Sequence, residues 1–450
     1  MSHIASVLGA SLDDDVDVEV NGISVDSRTA SPGDLFCAVV GEAADGHDFI
    51  RYAAERGAVA TLVSRHVESP VPKLVVDDIS TALASIATYI RDRFEGVVVA
   101  VTGSVGKTTV KELISAALSS AGPVLKSFGN QNTEYGLPMT WMRLQEQHKF
   151  VVLEMGMRGR GQIAHLASFS KPTVGVITSL GTSHVGELGS TRAIAEAKSE
   201  LLRAVPDGGL AVIPSRGEFS DLLRKAARCP VVTFGEGGDV SVFDSRSDFS
   251  ENRTEVLLEA RGERLSGSVP GLGSQQALNT AAAMAVCLGL DLRLSEAMDS
   301  MSRAEIPGPR MKAVEFNGAT VLIDVYNSSP ESCVEALRNL ALAPGTGQRI
   351  AILGDMLELG DYAEEAHRRI GAEAARLKLD RLSLVGRAVH WIRDEAVEQG
   401  FDGRLDLYGS AEEAARVFAR LEPGDVVLVK GSRGMALEKT LGAAGVKSGA

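Results

Sequence analysis

The feature that most constrains this chain is the segment Thr102-Gly103-Ser104-Val105-Gly106-Lys107-Thr108-Thr109. It follows the apolar run 97–101 and precedes residues 111–120, whose apolar positions recur at helical spacing. A buried strand, a glycine-rich turn and a helix in that order form a phosphate-type loop: successive backbone N–H groups and the helix N-terminus face the anion. Lys107 would reach the β- and γ-phosphates as a point charge, and the Thr108 or Thr109 hydroxyl would help hold Mg²⁺. The match to the common phosphate-loop pattern is imperfect, since Val101 stands where its first glycine would be and Gly103 comes two residues later. An ordinary glycine-rich turn is the alternative, but it leaves the Lys-Thr-Thr placement without a role.

The rest of the chain gives this loop an α/β setting. With 450 residues, about three domains are expected. Residues 1–83 hold short strand-like runs at 22–25 and 35–40 between turn signals, which predicts a small α/β domain. From 84 to 308, an amphipathic run at 84–94 leads into buried-strand candidates at 97–101, 150–153, 174–178 and 210–213, as in a doubly wound parallel sheet. Alternation over 240–269 reads as an antiparallel edge of that sheet, and 275–288 as a long Ala-rich helix. Pro307-Gly308-Pro309 marks the next boundary. Beyond it, strands at 320–324, 349–353, 381–385 and 426–429 alternate with helical stretches at 363–377 and 411–421, predicting a separate Rossmann-like domain over 309–450.

Charge and cysteine usage narrow the function. The net charge of −13 disfavours a nucleic-acid surface. Residues 1–20 carry an acidic run at 13–15 in place of a basic start and an apolar stretch, and no window reaches the roughly 18 apolar residues of a membrane span. A cytoplasmic protein is expected. Cys37, Cys229, Cys287 and Cys333 are widely spaced and predict buried free thiols.

Glu154 closes the strand 150–153 and His184 follows the strand 174–178, so both fall at the carboxyl edge beside the phosphate loop. An oxygen and a nitrogen there could share one Mg²⁺, although either residue alone is an ordinary surface or core side chain. Taken with Gly129-Asn130-Gln131-Asn132, Glu154-Met155-Gly156 and Ala197-Lys198-Ser199-Glu200, the order of motifs resembles the Mur ligases. Val25-Asp26-Ser27-Arg28, Pro32-Gly33-Asp34-Leu35-Phe36 and Asp45-Gly46-His47-Asp48 are similar to the nucleotide-sugar domain of the D-alanyl-D-alanine-adding branch. So are Leu353-Gly354-Asp355-Met356-Leu357-Glu358-Leu359-Gly360 and Lys430-Gly431-Ser432-Arg433-Gly434-Met435 to that branch's C-terminal signatures.

The resemblance implies an ATP-dependent amide ligase whose partners are UDP-MurNAc-tripeptide and D-Ala-D-Ala, acting as a monomer without nucleic acid or membrane insertion. It implies that Gly103, Ser104, Val105, Gly106, Lys107, Thr108 and Thr109 bind ATP, joined by Asn279 at the adenine and by Arg310 and Asp324 from the third domain. Lys107, Lys198 and His184 would be catalytic. Two Mg²⁺ ions would be held by Thr108 and by Glu154, His184 and Lys198, the last as a carbamate. Ser27, Arg28, Gly46, His47 and Asn130 would bind the substrate. Thr133, Ser179, Gln275-Gln276 and Ser329 depart from the family pattern. Three alternatives remain: a paralogue acting on another carboxylate and amine, a phosphate-loop kinase or switch, and a nucleotide-binding scaffold without turnover. A kinase or switch has no evident use for the third domain.

Overall fold

The computed structural model describes residues 1–10, 12, 17–41 and 44–447; the acidic run at 13–15 lies outside them. Three β-sheets define three α/β domains. The first has four parallel strands, Gly22–Ser24, Asp34–Cys37, Ala60–Val63 and Lys73–Val75. The third has six, in the order Lys312–Phe316, Ala319–Asp324, Val426–Lys430, Arg349–Gly354, Arg381–Val385 and Arg404–Tyr408, parallel except for the first pair.

The central sheet has nine strands. From one edge they run Val124–Lys126, Phe150–Glu154, Val97–Thr102, Val174–Ile177, Leu210–Pro214 and Val231–Phe234, and then Val240–Asp248, Arg253–Ala260 and Glu263–Pro270, the last two pairings antiparallel. The alternation at 240–269 thus forms the antiparallel edge its pattern predicted.

Strand Val97–Thr102 is apolar up to its last residue because both of its faces are covered. Val99 and Val101 pack with the helices Lys107–Leu118 and Ser274–Gly289, whereas Val98 and Ala100 face the opposite core with Leu166 and Leu201. Successive side chains point to opposite faces of a strand, so each layer takes every second valine. This strand lies between Phe150–Glu154 and Val174–Ile177, with Val101 opposite Glu154 and Thr102 opposite Ile177. The chain leaves it toward one edge and later crosses to the other side, which makes its carboxyl end a topological switch point. The phosphate-type loop, Glu154 and the loop to His184 all emerge there.

Several expectations shift. Residue 83 is inside the helix Ile79–Arg91, which Asp78 caps by accepting from Thr81 N at 2.7 Å, so the change of texture at 84 marks the middle of a helix. Lys198 ends the helix Thr191–Lys198, and a break at Ser199 separates it from the next helix, Glu200–Ala204. Residues 411–421 form one α-turn, Ala411–Ala414, followed by the 3-10 segment Ala415–Arg420. Residues 308–309 fall in the link between helix Leu294–Met301 and strand Lys312–Phe316. All four cysteines are buried free thiols, and no described helix is long and apolar enough to cross a membrane.

Candidate active site

The loop after strand Val97–Thr102 is fixed by close backbone approach. A Cβ on Gly103 would lie 1.9 Å from Thr178 Oγ1, and one on Gly106, at φ +87°, would lie 2.7 Å from Asn279 Oδ1. The N–H groups of Ser104 and Val105, expected to face phosphate, instead donate to Ser179 O and Ser179 Oγ, both at 2.9 Å. The anion-facing donors are therefore those from Gly106 onward, before Val110 N makes the first helical bond to Gly106 O. Ser179, a departure from the family pattern, acts here as the brace of the loop.

Two ammonium groups share one acceptor beneath it: Lys107 Nζ and Lys198 Nζ donate to Gly103 O at 2.9 and 3.0 Å. Burial, and then the charge of Lys107, holds the Lys198 amine well below the usual lysine range. Lys107 is lowered by burial, with Glu154 opposing the shift and Arg310 adding to it. Glu154 accepts from Asn132 Nδ2 at 2.9 Å through Oε1, while its buried Oε2 has no partner. Burial and the two lysines push the His184 imidazole down to about 4, so it is neutral near pH 7. The free carboxylate oxygen of Glu154 and the neutral imidazole of His184 are donor types that a divalent ion accepts. Among the described residues no three His, Cys, Asp or Glu side chains cluster as a ready metal site. With the imidazole neutral, Glu154 is the one anion of this pair, and Lys198 would add a second only as a carbamate.

Above the loop is a cavity of about 360 Å³ between the central and third domains, lined by Lys107, Thr108, Asn132, Glu154, Asn279 and Arg310, among others. Arg310 lies 3.6 Å over the Tyr326 ring and donates to Thr108 Oγ1 at 3.3 Å. Asp324, also on the wall, pairs with the buried Lys430 at 2.6 Å. Asn279 contacts Gln275 and Gln276, each at 3.4 Å. His184 and Lys198 do not line the cavity.

Three family models cover most of the chain: the Mur ligase family catalytic domain over residues 19–91, the Mur ligase middle domain over 101–287 and the Mur ligase glutamate ligase domain over 309–433. A UDP-N-acetylmuramoyl-tripeptide–D-alanyl-D-alanine ligase of Synechocystis is 39% identical over 435 residues, 94% of this chain and 91% of the relative. The chain belongs to the Mur ligase family. The ligase of the same name in Bacillus subtilis is 33% identical, covering 93% of this chain and 92% of its own. A crystal structure of MurF from Acinetobacter baumannii matches with a TM-score of 0.90 at 29% identity, over 99% of this chain and 98% of the other. MurF from Thermotoga maritima in complex with ADP matches at 0.81 and 30% identity, over 94% and 96%.

In this Mur ligase the residues expected to meet a nucleotide sugar make contacts of their own within the protein. His47 is buried with both ring nitrogens engaged: Nδ1 lies 2.6 Å from Asp45 Oδ1, and Nε2 accepts from Ser64 N at 3.1 Å. It ties a turn together and presents no free donor to a ligand. Gly46 is required by packing, since a Cβ would meet Val39 O at 2.6 Å. Arg28 is exposed and pairs with Asp26 at 2.7 Å, Ser27 is buried, and Asn130 is exposed with its carbonyl accepting from Asn132 N. None of these residues lines the cavity. Sequence reasoning did not single out Asn132, Tyr326, Glu331, Glu358 or Lys430; Asn132 stood in the quoted motif, two residues from the one chosen. Substituting Gly103→Ala is expected to weaken ADP binding at least tenfold, because the new methyl collides with Thr178. Isothermal titration of ADP checks this, and unchanged affinity would contradict the loop geometry.

Proposed function

We propose that this Mur ligase joins D-alanyl-D-alanine to UDP-N-acetylmuramoyl-tripeptide with ATP, yielding the pentapeptide precursor of peptidoglycan in the cytoplasm. The observation that carries the reading is the convergence of Lys107, Lys198, Glu154 and His184 at the switch point of the central sheet, in a chain 39% identical to a ligase of that name.

The terminal carboxylate of the tripeptide attacks the γ-phosphorus of ATP, forming an acyl phosphate and releasing ADP. The amine of D-Ala-D-Ala then attacks the acyl carbon, a tetrahedral intermediate collapses, phosphate leaves, and the amine's extra proton is lost. Two Mg²⁺ ions, held by Thr108 and by Glu154, His184 and carbamylated Lys198, would neutralise charge between carboxylate and triphosphate. Lys107 supplies a cation at the phosphates, and the N–H groups from Gly106 onward orient their oxygens. Arg310 adds a second cation from the third domain, already turned toward Thr108. Asn132 holds Glu154 with one oxygen free for the ion. Asn279 and Asp324 stand on the cavity wall for the base and ribose. Ser27 and Arg28 would meet the uridine nucleotide, with Gly46 and His47 shaping that surface from within.

ADP release is expected to require both the UDP-MurNAc-tripeptide and D-Ala-D-Ala, measured by a coupled assay with each omitted in turn. Fast ATP hydrolysis with neither present would replace the ligase by a nucleotide-driven switch. Turnover only with a different carboxylate and amine would make the chain a paralogue.

A further inference from the structure

Three contacts from the third domain converge on the loop 181–188, the one that carries His184. Glu331 Oε1 accepts from Thr182 N at 3.1 Å and from Thr182 Oγ1 at 2.9 Å. Glu358 Oε2 lies 3.1 Å from His184 Nδ1, an ion-pair distance whose angle makes no hydrogen bond, so the buried nitrogen is otherwise unpartnered. Gly186 and Gly360 meet backbone to backbone, so closely that a Cβ on Gly186 would lie 2.6 Å from Gly360 N. The other side of the loop is held to the phosphate loop, with Gly181 N donating to Ser104 Oγ at 2.9 Å. The two residues that face each other across the domain boundary are both non-glycine and both left-handed, His184 at φ +68° and Glu358 at φ +63°. Such conformations cost an L residue free energy and persist where surrounding contacts impose them. The third domain thus meets the loop at three points, one of them beside the ring of its histidine.

We propose that Glu358 is a positioning residue for His184, and that with Glu331 it forms a clasp through which docking of the third domain orients the imidazole toward a divalent cation. A carboxylate beside Nδ1 favours the tautomer with the proton on that nitrogen, which leaves Nε2 with its lone pair for the ion. Glu331 shares the cavity wall with Thr108 and Glu154, and its hydrogen bonds go to Thr182, where it fixes the loop two residues upstream of the ring. Cation binding and docking are then linked, and each strengthens the other by the same factor. The inference rests on the metal-binding part of the proposed function and is independent of which carboxylate and amine are joined.

The test is a titration of Mn²⁺ into the full-length protein with ADP and bicarbonate present, read by the loss of the free-ion electron paramagnetic resonance signal, for wild type, E358A, E358Q and E331A. Loss of an outer-shell partner weakens metal binding by about 10- to 100-fold. E358A and E331A are expected to lose at least about tenfold at the histidine-containing site. E358Q should stay within about threefold, because its amide oxygen still presents partial negative charge beside Nδ1 at unchanged side-chain volume. Circular dichroism melts establish that each variant is folded, and E358Q preserves side-chain volume should E358A fail to fold. Wild-type Mn²⁺ affinity in both alanine variants would overturn the proposal. Equal losses in E358Q and E358A would also overturn it, by making Glu358 a ligand itself. Failure of amine-dependent ADP release would sink the ligase reading and leave this titration intact.

Discussion

Lys107→Ala is expected to lower turnover at least about a hundredfold, equivalent to roughly 3 kcal/mol of lost transition-state stabilisation. Among the described residues the ammonium has a single hydrogen-bond acceptor, Gly103 O, and a swing away from that carbonyl would bring it to the anion. Its removal also takes away the positive charge that, after burial, most depresses the Lys198 amine. The variant should therefore lose phosphate contact and hold Lys198 as an ammonium up to higher pH. Steady-state ADP release checks the first effect, with a circular dichroism melt to show that the fold persists. A variant with near wild-type rate and normal KM would disprove the phosphate-loop role.

Lys198→Ala should be nearly inactive and partly restored by acetate, while Glu196→Ala, a change at a surface pair with Arg160 and Arg192, should matter little. Lys198 is 1% exposed and sits beside another cation, an environment that strongly disfavours a charged amine. Carbamate forms only on the neutral amine, with CO₂ as the second reactant and one proton released. The neutral fraction rises with pH, so stimulation by bicarbonate should grow as pH rises, beginning below the range of an exposed lysine. Rate against added acetate and bicarbonate is the measurement; full activity of the alanine variant without additive would exclude an anionic role for this side chain.

The elements readable from sequence were those buried on both faces. Strands Val97–Thr102, Phe150–Glu154 and Arg381–Val385 announce themselves because no solvent face interrupts their apolar runs. Strands Val124–Lys126 and Arg404–Tyr408 lie at sheet edges with half-exposed residues, and their patterns carry too little signal. Sheet topology sends Lys107, Glu154 and the loop to His184 to one edge, whereas Lys198, at the end of helix Thr191–Lys198, was reached only through the resemblance of its motif. The contacts of His47 were not legible. A histidine in a turn looks the same in sequence whether its nitrogens face a ligand or, as here, Asp45 and Ser64. Glu331 and Glu358 were invisible as partners of the histidine loop because contacts between domains leave no periodicity in the chain.

Helix Ile79–Arg91 sends Leu83 and Ile86 into the core of the first domain and Ala87 into that of the second. Its last residue, Arg91, donates to Ser170 O at 3.1 Å and to Lys171 O at 3.0 Å in the central domain. A single rigid rod with side chains in both bodies is a welded joint, unlike the chain link at 302–311 with its two prolines and left-handed Gly308. The first two domains should therefore turn as one lever arm, with rotation concentrated at the Pro307-Gly308-Pro309 segment. Severing the chain at residue 83 would cut through the weld, strand half a helix on each fragment and expose apolar side chains on both.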